Sequence, residues 1–255
     1  MAAEQRQCRL AYESCPWLAP YLGVIDQNWK PVSLTHVVYP EDDLVGKILA
    51  WSSLVPIFII VSFLTLIIFR RELHTMAWFL GILLNEVVNM VLKRMLKQPR
   101  PCSALDQKKL YNKYGMPSSH AQFMGFFAIY AIFFAYCRLR VHVYEKFMDN
   151  IRQHFIAFSS AGVALVVCYS RVYLHYHTVE QVLIGLCTGL FIGTFWFYIV
   201  DTVFTPYFQS IANTKIAEYF FIRDSTNIPD ILWFEYTASR TEARQRLRRT
   251  TQKSQ

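Results

Sequence analysis

Five long apolar runs, separated by polar links, set the pattern of the chain. Ile48 to Phe69 is 22 residues without a charge, which spans a bilayer as a helix. Thr75 to Leu92 is shorter and carries Asn85, Glu86 and Asn89. Ala121 to Cys137 is uncharged and rich in Phe, and Phe155 to about Leu174 stays apolar until Arg171. Val182 to Val200 carries Gly185, Gly189 and Gly193, a small-x-x-x-small series that lets a neighbouring helix approach closely. The pattern predicts an all-α polytopic bundle of about five transmembrane helices. It divides the chain into a polar segment over 1–47, a membrane core over 48–200, and an interfacial aromatic stretch with a basic tail over 201–255.

Composition agrees. Hydrophobic residues make up 54% of the 255 and charged residues 17%, too apolar a balance for a soluble domain of this length. The polar start offers no cleavable signal peptide, so the first apolar run is expected to act as a signal anchor. Of the six cysteines, Cys137, Cys168 and Cys187 sit inside apolar runs and read as small core residues. Cys8 and Cys15 are close enough along the chain for a disulfide, though spacing alone does not require one.

The charge distribution orients the bundle. Arg70 and Arg71 follow the first run, Arg138, Arg140, Lys146 and Arg152 lie between the third and fourth, and six basic residues from Arg240 to Lys253 face a lone Glu242. With these regions cytosolic, the N-terminal segment is lumenal and the positive-inside rule is obeyed three times. The formal charge of +8 does not point to nucleic acid, because long apolar stretches separate the basic residues. One link breaks the rule. Lys93 to His120 holds seven basic residues and one acid, Asp106, on the non-cytosolic side. Topology gives no reason for that charge, whereas an anionic ligand does.

Three short motifs fall on that face: Lys93 with Arg100-Pro101, then Pro117-Ser118-Ser119-His120, then Ser170-Arg171 with His177. Lys93 and Arg100 are about two helical turns apart, but Pro99 and Pro101 end a regular helix there. Arginine grips phosphate oxygens bidentately and stays charged, and cations beside hydrocarbon are costly unless an anion meets them. Ser119 with Gln122, and Thr178 with Gln181, read as capping boxes before apolar runs. They would put His120 and His177 beside two helix N-termini, whose free N–H groups favour anions.

These motifs resemble the type 2 phosphatidic acid phosphatase superfamily, whose signature is K-x6-R-P, P-S-G-H and S-R-x5-H-x3-D. The resemblance covers Lys93 to Gln181. Arg70 to Met76, Lys113 to His120 and Ile222 to Tyr236 are in addition similar to the branch of that superfamily that acts on polyisoprenoid diphosphates in the endoplasmic reticulum. The resemblance implies a metal-independent phosphatase without cofactor, in which His177 is the nucleophile and His120 the general acid. It implies that Lys93, Arg100, Arg171, Ser118 and the Ser119 backbone hold the phosphoryl oxygens. The implied substrate is dolichyl diphosphate, a lipid drawn from the bilayer, and the site would be lumenal.

Two positions depart from the pattern: Ser119 replaces the family Gly, and Gln181 replaces the family Asp. Gln181, one turn beyond His177, either accepts its Nδ1–H or only caps the helix, with Glu180 as another orienter. His74, His142, His154 and His175 read as structural, and Lys97, Lys108, Lys109 and Lys113 as interfacial anchors. Asn85, Glu86 and Asn89 suit either an interhelical network or a functional role. Two rival functions remain, a broader lipid phosphate phosphatase and a membrane protein that binds anionic lipid without catalysis.

Overall fold

The computed structural model describes residues 29–31, 37–40, 43–100, 114–139, 146–228 and 231–253. Several positions considered above lie outside these: Cys8, Cys15, Asp106, Lys108, Lys109, Lys113, Arg140 and His142. A short antiparallel ribbon, β1 (Trp29–Pro31) with β2 (Val38–Pro40), precedes the helices. Helices α1 (Leu44–Ser52), α2 (Val55–Arg70), α3 (Leu73–Leu96) and α4 (Ser119–Phe133) follow. Then come α5 (Lys146–Tyr173), α6 (Val179–Ile199), α7 (Thr205–Ala212), α8 (Lys215–Phe220) and α9 (Ile231–Lys253).

Five helical spans are long and apolar enough to cross a membrane: Leu44–Arg70, Leu73–Leu96, Ser119–Arg138, Asn150–Tyr173 and Val179–Ala212. In hydrocarbon the backbone must satisfy itself, so an apolar run of this length has few alternatives to helix. The five expected runs are all present, with different ends. The first begins earlier and is broken at Ser53–Leu54, where Pro56 removes a backbone donor. The fifth passes Val200 through a π-helical turn into α7, and Asp201 within that turn is paired by Arg138 at 2.8 Å.

The bundle is organised around α4, which lies against α6 along its length. A Cβ at Gly185 would come 2.7 Å from the Ser118 carbonyl oxygen, and one at Gly193 would lie 2.9 Å from that of Phe126. At Gly189 it would collide with the Gln122 carbonyl oxygen. The four-residue spacing on each helix therefore meets its counterpart, backbone on backbone. The main core, including Ile82, Met124, Phe126, Tyr130 and Val167, is formed where α3 and α5 pack onto α4. Within it an amide ladder ties α3 to α4. Gln122 Nε2 donates to Asn85 Oδ1 at 3.0 Å, and Asn89 Nδ2 donates to Gln122 Oε1 at 2.8 Å. The network reading of Asn85 and Asn89 is therefore the observed one, and Glu86 is not part of the ladder.

Some local expectations change. The cap of α4 is Ser118 rather than Ser119, its side chain makes no capping bond, and Gln122 is drawn into the amide ladder. For α6 the Thr178 hydroxyl does accept from Gln181 N at 3.3 Å, but the Gln181 side chain turns elsewhere. Of the three membrane cysteines only Cys168 is buried, whereas Cys137 and Cys187 face outward. An apolar surrounding in sequence does not separate core from lipid-facing positions when both are apolar.

Candidate active site

The ends of α3 and α5 and the starts of α4 and α6 meet at one end of the bundle. Lys93 lies in the last turn of α3 and is 4% exposed. Arg171 lies in the last turn of α5 and is 3% exposed, and His177 immediately precedes the α6 cap and is 2% exposed. His120 is the second residue of α4 and half-buried. Lys93, Arg100 and Arg171 all lie near enough to exert their charge on both His120 and His177. The residues that three separate motifs contribute are thus brought together.

Local folding explains the placement. At the end of α5, His175 adopts a left-handed conformation with φ of 56°. This reverses the chain so that Tyr176 N and His177 N both donate to the Arg171 carbonyl, at 3.0 and 3.2 Å. The two helix starts are joined directly, since Ser118 N donates to Gln181 O at 3.1 Å. Arg100 is held by a short antiparallel contact in which Pro99 pairs with Tyr114 and Gly115 N donates to Gln98 O at 2.8 Å. Gly115 passes so close to Gln181 that a Cβ there would lie 2.7 Å from its Oε1. A larger residue there would displace the Gln181 amide.

Gln181 carries more than a cap. Its Nε2 donates to Pro99 O at 2.9 Å and to Gln98 Oε1 at 3.2 Å, both of which only accept, so the amide orientation is fixed. Its Oε1 therefore faces His177 Nδ1 at 3.1 Å and accepts from it. The His177 proton resides on Nδ1, and the lone pair is on Nε2. Burial first, and the charge of Arg100 next, hold this imidazole well below its ordinary value of 6.5, while the Gln181 hydrogen bond acts in the opposite sense. Glu180 is exposed and is not the orienter.

Ser118 Oγ and Arg100 Nε are buried without a hydrogen-bond partner among the described residues. Such groups are expensive beside hydrocarbon unless a ligand meets them. Ser119, half-buried, begins α4 and supplies a helix-start N–H to the same end. Three participants had no motif to announce them. Gln98 and Gly115 frame Gln181, and Ser53 touches both His120 and Arg171. Ser53 was signalled only by two adjacent serines and a proline within an apolar run.

The model of the PAP2 superfamily matches residues 74–204, more than half of the chain. The chain belongs to the PAP2 superfamily. Among curated relatives, human dolichyldiphosphatase 1 is 47% identical over 89% of this chain and 95% of its own length. The Dictyostelium discoideum protein of the same name is 44% identical over 81% of this chain and 87% of its own. Lipid phosphate phosphatase gamma of Arabidopsis thaliana is 37% identical over 86% and 95%. Among solved structures, the transmembrane PAP2-type phosphatidylglycerolphosphate phosphatase of Bacillus subtilis superposes with a TM-score of 0.54. It shares 16% identity and covers 76% of this chain and 88% of its own, which shows a common fold. As a PAP2 member with five membrane-length helices, the chain is a multi-pass membrane phosphatase.

Proposed function

We propose that this protein hydrolyses dolichyl diphosphate to dolichyl phosphate and orthophosphate on the lumenal side of the endoplasmic reticulum, returning the carrier lipid for protein N-glycosylation. The human and Dictyostelium relatives, whose names state that activity, support the reading across most of the chain. The observation that carries it is the pair of imidazoles lying in the field of the same three cations, with His177 oriented by Gln181.

His177 Nε2 attacks the terminal phosphorus, a P–N bond forms, and the bridging P–O bond breaks. His120 gives a proton to the departing dolichyl phosphate oxygen. Lys93, Arg100 and Arg171, with Ser118 Oγ and the N–H groups at the start of α4, hold the oxygens on which charge develops. Water then attacks the phosphohistidine, His120 takes a proton from it, and orthophosphate leaves. Lumenal placement is supported by the basic link at the site end and by Arg70, Arg138 and the arginine-rich tail at the other.

A broader lipid phosphatase is the second reading, favoured by the Arabidopsis relative. Phosphate release by purified protein, assayed with dolichyl diphosphate and with phosphatidate, separates the two. Wild type is expected to prefer the diphosphate. His177→Ala should abolish release on both while lipid binding persists. Equal or faster turnover of phosphatidate defeats the specific substrate, and an active His177→Ala defeats the mechanism.

A further inference from the structure

The break in the first span carries a role that the three motifs do not contain. Helix α1 ends at Ser52 and α2 begins at Val55, with Pro56 in its first turn. Ser53 N donates to Ala50 O at 3.2 Å and Leu54 N to Trp51 O at 3.0 Å, tightening the end of α1. The Phe58 N to Leu54 O bond, at 3.0 Å, opens the next ladder. The Ser53 carbonyl lies between the two ladders and points inward, where it meets His120 Nε2 at 3.3 Å. The Ser53 hydroxyl accepts from Arg171 Nη2. Ser53 is 3% exposed.

We propose that Ser53 is a positioning residue of the phosphatase site, its carbonyl orienting His120 and its hydroxyl orienting Arg171. This rests on the functional reading above. The carbonyl only accepts, so His120 Nε2 keeps its hydrogen through both half-reactions. The proton exchanged with substrate is then the one on Nδ1. When His120 is doubly protonated, Nδ1–H passes to the departing lipid phosphate. The neutral ring that remains has its Nδ1 lone pair free to take the proton from the attacking water. One hydrogen bond thus serves the acid and the base step without a change of tautomer.

The break is held where this requires. Leu49 and Ala50 of α1 pack with Val37, Leu174 and Tyr176, and Tyr173 donates to Asp43 Oδ2 at 2.8 Å. The Arg171 guanidinium lies over the Tyr176 ring at 5.1 Å. The N-terminal side of the first span is therefore fastened to the chain reversal that carries Arg171 and His177. Membrane insertion alone would not require this.

Three variants of the full chain in detergent test it: Ser53→Ala removes the hydroxyl, Ser53→Thr keeps it, and Pro56→Ala restores a backbone donor opposite Ser52 O, so that the α-helical ladder can run through the break and Ile57 N can take the Ser53 carbonyl. The readouts are kcat and KM for dolichyl diphosphate, the binding of inorganic phosphate by calorimetry, and the melting temperature. Ser53→Ala should lower kcat and phosphate affinity, each about tenfold, as Arg171 loses an acceptor, and Ser53→Thr should restore both. Pro56→Ala should lower kcat about tenfold with phosphate affinity unchanged, because only His120 is misdirected. The inference is overturned if Ser53→Ala matches wild type, if losses track only the folded fraction, or if Ser53→Thr is as impaired as the alanine variant at an unchanged melting temperature. An active wild type, an inactive His177→Ala and an unimpaired Ser53→Ala would remove this inference alone. Phosphate binding decides the Arg171 contact even in a preparation that hydrolyses nothing.

Discussion

The bond from His177 Nδ1 to Gln181 Oε1 uses a neutral acceptor where the superfamily signature has a carboxylate. An amide fixes the tautomer as well as a carboxylate does, but it stabilises the imidazolium less. Gln181→Ala should therefore lower kcat on the order of 10²-fold through lost orientation, with KM for the lipid little changed in the same assay. The titration of His177 gives a second check. Its pKa is lowered, so the ring is neutral and nucleophilic at neutral pH, and the acid limb of kcat/KM that it controls should lie below pH 6.5. Arg100 contributes to that lowering, and Arg100→Gln should move the limb to higher pH while reducing the rate. A limb that stays fixed would exclude Arg100 from the neighbourhood of His177. At this scale the sequence was informative wherever chemistry demands a residue type at a spacing: Lys93, Arg100, His120, Arg171 and His177 converge. It could not choose between orienting and capping for Gln181, because that choice depends on Gln98 and Pro99, which are distant in the chain.

Helix α4 is placed by α6, and the glycine spacing that suggested close approach is realised with main-chain atoms in contact. Gly189→Ala forces a methyl group against the Gln122 carbonyl, and in a packed helix pair such an insertion costs about 1–3 kcal/mol. The variant should melt lower in detergent and lose activity in parallel, since the same register joins Ser118 to Gln181. Gly162, whose Cβ would meet nothing, provides the control, and Gly162→Ala within α5 should leave activity unchanged and not lower the melting temperature. Element existence was legible because a bilayer-length apolar run has one outcome. Element ends were not. Gln122 was drawn from its expected capping role by Asn85 and Asn89, partners that lie on another helix.

Across the whole molecule, polarity separates to two ends. Opposite the phosphate site, Arg70 pairs with Glu235 at 2.6 Å, and Arg223 reaches the same carboxylate at 2.8 Å and Glu72 at 3.7 Å. Leu73 N and Arg223 N complete the junction by bonding across it to Arg223 O and Arg71 O. This cluster explains what the stretches at Arg70 to Met76 and Ile222 to Tyr236 do together, which no local pattern in either could disclose. Glu235→Ala should loosen the start of α9, seen as faster amide exchange there, with hydrolysis retained. The ion pairs are partly exposed, so the loss in overall stability should stay within about 1 kcal/mol.

The glycine-to-carbonyl seam between α4 and α6 also limits how substrate arrives. Where two main chains touch there is no width for an isoprenoid, so the tail must reach the head-group pocket through some other gap in the barrel of helices. The same seam opposes prising apart the two helices whose starts carry the imidazoles, which leaves any opening to the elements packed around that pair.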